Sequence, residues 1–69
     1  MDKILFQGKI ISLDSKNPIK DVEIFEKSFG KLAQTNSKGF FEFTTTKNKL
    51  SLIFFAYNYN VYEQSISIN

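Results

Sequence analysis

The chain contains no cysteine, no histidine and no arginine, and only one proline and three glycines among its 69 residues. Without cysteine there is no disulfide staple and no thiolate metal site, and the redox compartment cannot be read from cysteine usage. Without histidine the usual general base and the usual zinc ligand are missing, so the combined absence argues against an enzyme. The nine basic residues are all lysine, spread singly from Lys3 to Lys49, with a net charge of +2. That distribution favours solubility but offers no basic stripe and no guanidinium fork for phosphate or guanine, so no nucleic-acid partner is expected. No apolar run approaches the roughly 20 residues that a membrane-crossing helix needs. Leu50 to Tyr57 is too short and lacks signal-peptide flanks, so direct membrane insertion is not expected.

What is present is aromatic: eight Phe and three Tyr. Each can bury roughly 150–250 Å², which lets a short chain form a core without staples. The length fits one small domain over residues 1–69, in a size class that buries only about 60% of its unfolded surface. Period-2 alternation predicts a first strand from Ile4 to Leu13 with Phe6, Gly8 and Ile10 on one face. Gly8 weakens such a strand unless something packs close to it. After a turn over Asp14 to Pro18, a second strand is expected from Ile19 to Phe25, with Val22 and Ile24 inward, and a third over Lys31 to Thr35.

The stretch Thr35-Asn36-Ser37-Lys38-Gly39 is a polar turn closed by glycine, running into the alternating strand Phe40 to Thr46; it reads as a β-hairpin. A second polar turn, Lys47 to Lys49, leads to Leu50 to Tyr57, apolar on both phases and therefore central or covered on both sides. Tyr59 to Ile68 completes the sheet with Ile66 and Ile68 inward. Val61 and Ile66 lie on opposite phases, which predicts a bulge or bend near Glu63. No segment reads as a helix. Six or seven short strands separated by turn signals indicate an all-β, Greek-key-like sandwich.

Candidate chemistry is sparse. Asp21, Glu23 and Glu26 are close enough in sequence to suggest a carboxylate pair, but Asp21 and Glu23 share a strand face beside Lys20 and Lys27 and read as solvated. Asn36, Ser37 and Glu42 surround a glycine as calcium ligands do, yet only one is a carboxylate. Lys38-Gly39 lacks the glycine-rich cradle and following helix of a phosphate loop. The serines have no histidine to activate them, and no spacing singles out a serine–lysine dyad. No metal or cofactor is expected.

The aromatics off the core carry more. If Leu52 and Phe54 face the core, Ile53, Phe55 and Tyr57 face the other side of the sheet, joined by Phe25 or Phe40, as a candidate interaction patch. Tyr57, Tyr59 and Tyr62, with Asn58 and Asn60 as hydrogen-bonding neighbours, form an alternative sugar-stacking set. A third option is pairing through an exposed sheet edge, against which Lys47 and Lys49 would protect a strand start.

The order of motifs Phe6-Gln7-Gly8-Lys9-Ile10, Pro18-Ile19 before Val22-Glu23-Ile24, Thr35-Asn36-Ser37-Lys38-Gly39-Phe40-Phe41, Leu52-Ile53-Phe54 and Asn58-Tyr59 resembles a carboxypeptidase-regulatory-like domain. The resemblance covers nearly the whole chain and implies a transthyretin-like (prealbumin-like) sandwich. It carries Gly8, Pro18, Thr35, Gly39, Phe41 and Tyr59 over as structural positions. Asn36 stands where the family usually has Asp, and Asn58 where it usually has Gly; both substitutes tolerate turn conformations. Such domains commonly sit at the N-terminus of TonB-dependent outer-membrane receptors or follow the catalytic domain of metallocarboxypeptidases. The resemblance therefore implies a non-catalytic accessory module of a cell-envelope protein, periplasmic, with its export signal absent from this chain. Its expected partner is a protein or a neighbouring domain, the alternative being a glycan. Hydroxyisourate hydrolase shares the fold but uses histidine and arginine, and this chain has neither.

Overall fold

A computed structural model describes residues 3–57, 59 and 62–67 of the protein. Among them are six strands: β1 (Ile4–Lys9), β2 (Glu23–Glu26), β3 (Gly30–Gln34), β4 (Phe40–Thr45), β5 (Lys49–Phe55) and β6 (Tyr62–Ser67). They form two antiparallel sheets, one of β1 and β4, the other in the order β3-β2-β5-β6. The expected all-β sandwich is what the chain builds.

Alternation decides which side chains go inside. In β4, Phe41 and Phe43 are buried while Phe40, Glu42 and Thr44 are exposed, as a pleated strand with one wet face requires. Across the two-stranded sheet, Phe6 pairs with Phe43 and Gly8 with Phe41. The Phe6 and Phe43 rings stack at 5.2 Å, and Phe54 of β5 meets Phe41 edge-on at 6.1 Å. From the larger sheet Ile24, Leu50 and Leu52 complete the core, with Phe6, Ile10, Leu32, Ala33 and Ile66 packed at its margin. Gly8 belongs here because a Cβ at that position would come within 2.5 Å of the Phe41 ring. The packing that a strand glycine needs is therefore supplied.

The glycine turn is not a hairpin. β3 hydrogen-bonds to β2 and β4 to β1, so Thr35 to Gly39 forms a corner that carries the chain from one sheet to the other. The Asn36 side-chain oxygen accepts from the Lys38 and Phe40 amides at 2.9 and 3.1 Å, and the Gly39 amide donates to the Asn36 carbonyl at 2.9 Å. These bonds satisfy the corner locally instead of zipping β3 to β4. Gly39, at φ 78°, then offers its carbonyl to the Ile10 amide, also at 2.9 Å.

The same contacts move the strand ends. β1 stops at Lys9 because the next rung is only half made: the Ile10 amide reaches the Gly39 carbonyl, but the Gly39 amide turns back to Asn36 and the Ile10 carbonyl goes to Ile19, leaving a lone bridge between Ile11 and Pro18 where strand was expected to Leu13. β2 starts at Glu23, not Ile19, because Asp21 sits at φ 60° and the Thr35 side chain occupies the Ile19 carbonyl and the Val22 amide. The bulge falls between Ile24 and Phe25, opposite β3, while the β5–β6 register runs unbroken past Glu63. Ile66 is half-buried on the core side as expected; Val61 and Ile68 lie outside the described residues. β5 is central, between β2 and β6, so Lys49 guards no edge.

Candidate functional site

On the face of the larger sheet away from the core, Phe25 of β2 lies opposite Ile53 of β5, and Phe55 lies opposite Glu23. Phe25 and Ile53 are half-buried and Phe55 is 42% exposed. These three side chains form an apolar stripe lining one shallow cleft with Glu23, Lys27 and Gly30. Its rim is charged: Lys31 Nζ pairs with Glu23 Oε2 at 3.3 Å, and Glu63 stands opposite Ile53 on the β6 side. Of the residues expected here, Ile53 and Phe55 take their places. Phe25 joins them through its pairing with Ile53. Phe40 does not, because it belongs to the other sheet, where Lys9 Nζ sits 5.2 Å from its ring centroid. Tyr57 follows the end of β5 and is 83% exposed, beside the stripe in sequence rather than within its cleft.

Glu26 closes one end of that cleft and was not legible as a buried residue. It shares the core-side phase of Ile24 and is only 3% exposed. Its carboxylate accepts from the Ser51 amide at 2.8 Å and the Ser28 amide at 2.6 Å. One oxygen thus replaces a ladder bond where β2 leaves β5, and the other holds the turn into β3. The Ser51 and Ser28 amides, reinforced by the Lys47 charge, hold the carboxyl below its ordinary 4.5 against the opposing effect of burial. A depressed folded-state pKa contributes stability that is complete above the unfolded value and is lost as pH falls through the folded one. Glu26→Gln presents an amide N–H₂ to one of these two N–H donors. It is therefore expected to lower the urea midpoint at neutral pH, with the gap to the parent closing well below pH 4.5.

The other candidate chemistry disperses. Asp21 accepts from the Gln34 amide at 3.3 Å, Glu23 is paired with Lys31, and Glu26 is buried on the opposite phase, so no carboxylate pair assembles. The Asn36 oxygen is engaged by backbone and Glu42 accepts from Gln7 at 3.1 Å, which dissolves the calcium-like set. Among the described residues no group of three or more acidic side chains is placed to hold a metal. Lys47 lies over the Phe29 ring at 4.6 Å, at the end of the sandwich. Tyr59 is 53% exposed, and its amide closes a turn on the Ala56 carbonyl at 3.0 Å, which brings Tyr57 and Tyr59 onto one exposed corner. Tyr62 enters β6 opposite Phe54, while Asn58 and Asn60 lie outside the described residues.

A second cleft, not anticipated from sequence, lies between the small sheet and β3, lined by Gln7, Lys9, Ala33, Gln34, Phe40 and Glu42. Its polar side chains are already engaged: Gln7 donates to Glu42, Gln34 bonds to Asp21 and Lys31, and Lys9 lies over the Phe40 ring.

No curated protein and no solved structure matches the chain. A family model does, that of the CarboxypepD_reg-like domain, over residues 6–69. That family is a regulatory, non-catalytic type of β-sandwich domain. The match spans both sheets and the Thr35–Gly39 corner, and with it the chain belongs to the CarboxypepD_reg-like domain family.

Proposed function

We propose that this chain is a non-catalytic accessory module of a cell-envelope protein, the N-terminal domain of a TonB-dependent outer-membrane receptor acting in the periplasm, and that it docks a protein partner or neighbouring domain on its outer sheet face. The observation that carries this reading is the Phe25–Ile53–Phe55 stripe: three large apolar side chains side by side on the face away from the core, rimmed by Glu23, Lys31 and Glu63. An apolar centre with a charged rim is the anatomy of a docking surface. The family's non-catalytic type and the lack of histidine and cysteine support the absence of enzymatic activity.

The test places a photoreactive phenylalanine analogue at Phe25 and, as a control, at Leu13, which is 85% exposed on the loop between β1 and β2 and is not among the residues lining the cleft. In an envelope extract the Phe25 probe is expected to give a discrete adduct that the Leu13 probe does not. Phe55→Ser should change folding stability by about 1 kcal/mol or less, given its partial exposure, while adduct yield falls on the order of tenfold. Equal labelling from Leu13, or full labelling in Phe55→Ser, defeats the reading. The exposed corner of Tyr57 and Tyr59 supports a second reading, a glycan-stacking surface. Amide shifts confined to that corner on adding oligosaccharides would move the binding role there.

A further inference from the structure

Among the described residues the two sheets leave four strand edges, and three of them carry devices that discourage pairing. β1 is bracketed by Lys3 and Lys9. β3 opens on Gly30 at φ 94°, presents Lys31 and faces the register shift in β2. β4 is flanked in sequence by Lys38 and Lys47 and borders the cleft it shares with Ala33 and Gln34. β6 differs: Tyr62–Ser67 contains no lysine, proline or glycine, no lysine stands within two residues of either end as it does around β4, and its register against β5 runs unbroken from Phe54↔Tyr62 to Lys49↔Ser67. Its one charge is Glu63, exposed like Gln64, Ser65 and Ser67. Ile66 lies half-buried at the margin of the core.

We infer that β6 is a homotypic edge, and that a second copy of this chain pairs with it antiparallel about a two-fold axis through Ser65. The symmetry constrains the register. A two-fold axis normal to the sheet keeps core side with core side, so a residue on the axis must face itself. With Ser65 on the axis, Gln64 faces Ile66 of the second copy and Glu63 faces Ser67. The half-buried Ile66 gains cover from the aliphatic stem of glutamine, two hydroxyls meet at the centre, and no carboxylate faces another. Moving the axis to Glu63 would set two like charges directly opposite, which destabilises a strand pair. The joined sheet has eight strands, twice the four of one copy. It carries the Phe25–Ile53–Phe55 stripe twice on the same face, converting a single docking contact into a bivalent one.

An edge contact of this length belongs to the small, transient class below about 1,200 Å². The association is accordingly weak and visible only at high concentration. It does not depend on the docking reading, since β6 pairs through backbone and the stripe binds through side chains.

Sedimentation of the full chain across the micromolar to millimolar range tests the inference, with amide spectra recorded on the same samples. The expected result is a reversible monomer–dimer equilibrium with concentration-dependent shifts confined to β6. Ser65→Lys changes an exposed side chain, so circular dichroism should show the fold retained. It places two ammonium groups opposite each other at the axis and should weaken dimerisation on the order of tenfold. A monomer at every concentration overturns the inference. So does undiminished association of Ser65→Lys; strengthening would instead fit an axis at Gln64, which brings position 65 opposite Glu63. Loss of the dimer in Phe55→Ser but not in Ser65→Lys would assign self-association to the outer stripe.

Discussion

Gly39→Ala is expected to lower folding stability by about 2–5 kcal/mol, a large part of what a 69-residue domain possesses at roughly 0.05–0.15 kcal/mol per residue. Two independent costs combine. The residue holds φ at 78°, a left-handed conformation that costs an L-residue with a Cβ about 1–2 kcal/mol. A Cβ there would also meet the Ile10 carbonyl oxygen at 2.5 Å and Pro18 Cβ at 3.1 Å, and overpacking of this kind costs about 1–3 kcal/mol. The obstacle is backbone, and that same Ile10 carbonyl accepts the Ile19 amide at 3.0 Å, so it cannot swing aside without undoing a second bond. Gly30→Ala is the matched control. Gly30 has a similar φ of 94° but nothing within 4 Å, and its substitution should cost only about 1 kcal/mol. Urea denaturation of the three proteins separates the contributions: the difference between the two variants reads the close approach to Ile10. Equal midpoints for both would mean that the corner relaxes and that Gly39 is needed for its dihedral alone.

The strands were legible where alternation was clean and one phase was plainly core. Phe41 and Phe43 against Glu42 in β4 gave strand, face and burial at once, and the double apolar phase of β5 marked it as central. Boundaries were less legible, because they are set by single long-range bonds with no local signature. Nothing in Ile10 or Ile11 announces that the Ile19 amide will take the Ile10 carbonyl, and nothing at Ile19 or Val22 announces that a side chain thirteen or more residues away occupies their backbone groups. The misread corner has the same origin. A glycine turn before an alternating strand carries the local chemistry of a hairpin, and only the pairing of β4 with β1 shows that the chain has changed sheets.

The candidate site was half legible for a related reason. Ile53 and Phe55 follow from the phase of β5, but whether Phe25 or Phe40 completes the stripe depends on sheet membership, which alternation does not encode. Glu26 was hidden altogether. A carboxylate in a strand reads as solvated, and its burial is explained only by the two amides that converge on it from Ser28 and Ser51.

Thr35→Val should cost about 2–4 kcal/mol, although the replacement has nearly the same shape. Thr35 is 3% exposed, and its hydroxyl donates to the Ile19 carbonyl while accepting from the Val22 amide, both at 2.8 Å. Its own backbone adds bonds to Val22 and Asp21 at 2.9 and 3.1 Å, so the end of β3 is clipped to the segment that leads into β2. Valine keeps the backbone bonds but strands one buried donor and one acceptor, each worth about 1–3 kcal/mol of desolvation. Ser at this position restores the hydroxyl and loses only a methyl group, so Thr35→Ser should cost about 1 kcal/mol. Val22 is itself 2% exposed, so an amide orphaned there destabilises the closed state and lowers the free energy of the local opening that brings it to water. Hydrogen exchange at Val22 should therefore accelerate in Thr35→Val beyond what global destabilisation predicts, and remain near the parent value in Thr35→Ser. Matching exchange in the two variants would assign the threonine's role to its methyl group and leave the clip to the backbone bonds. In the expected case, the threonine and the glycine of one short motif hold the corner from opposite ends: Thr35 fastens it to the segment that leads into β2, and Gly39 lets it settle on the loop beneath.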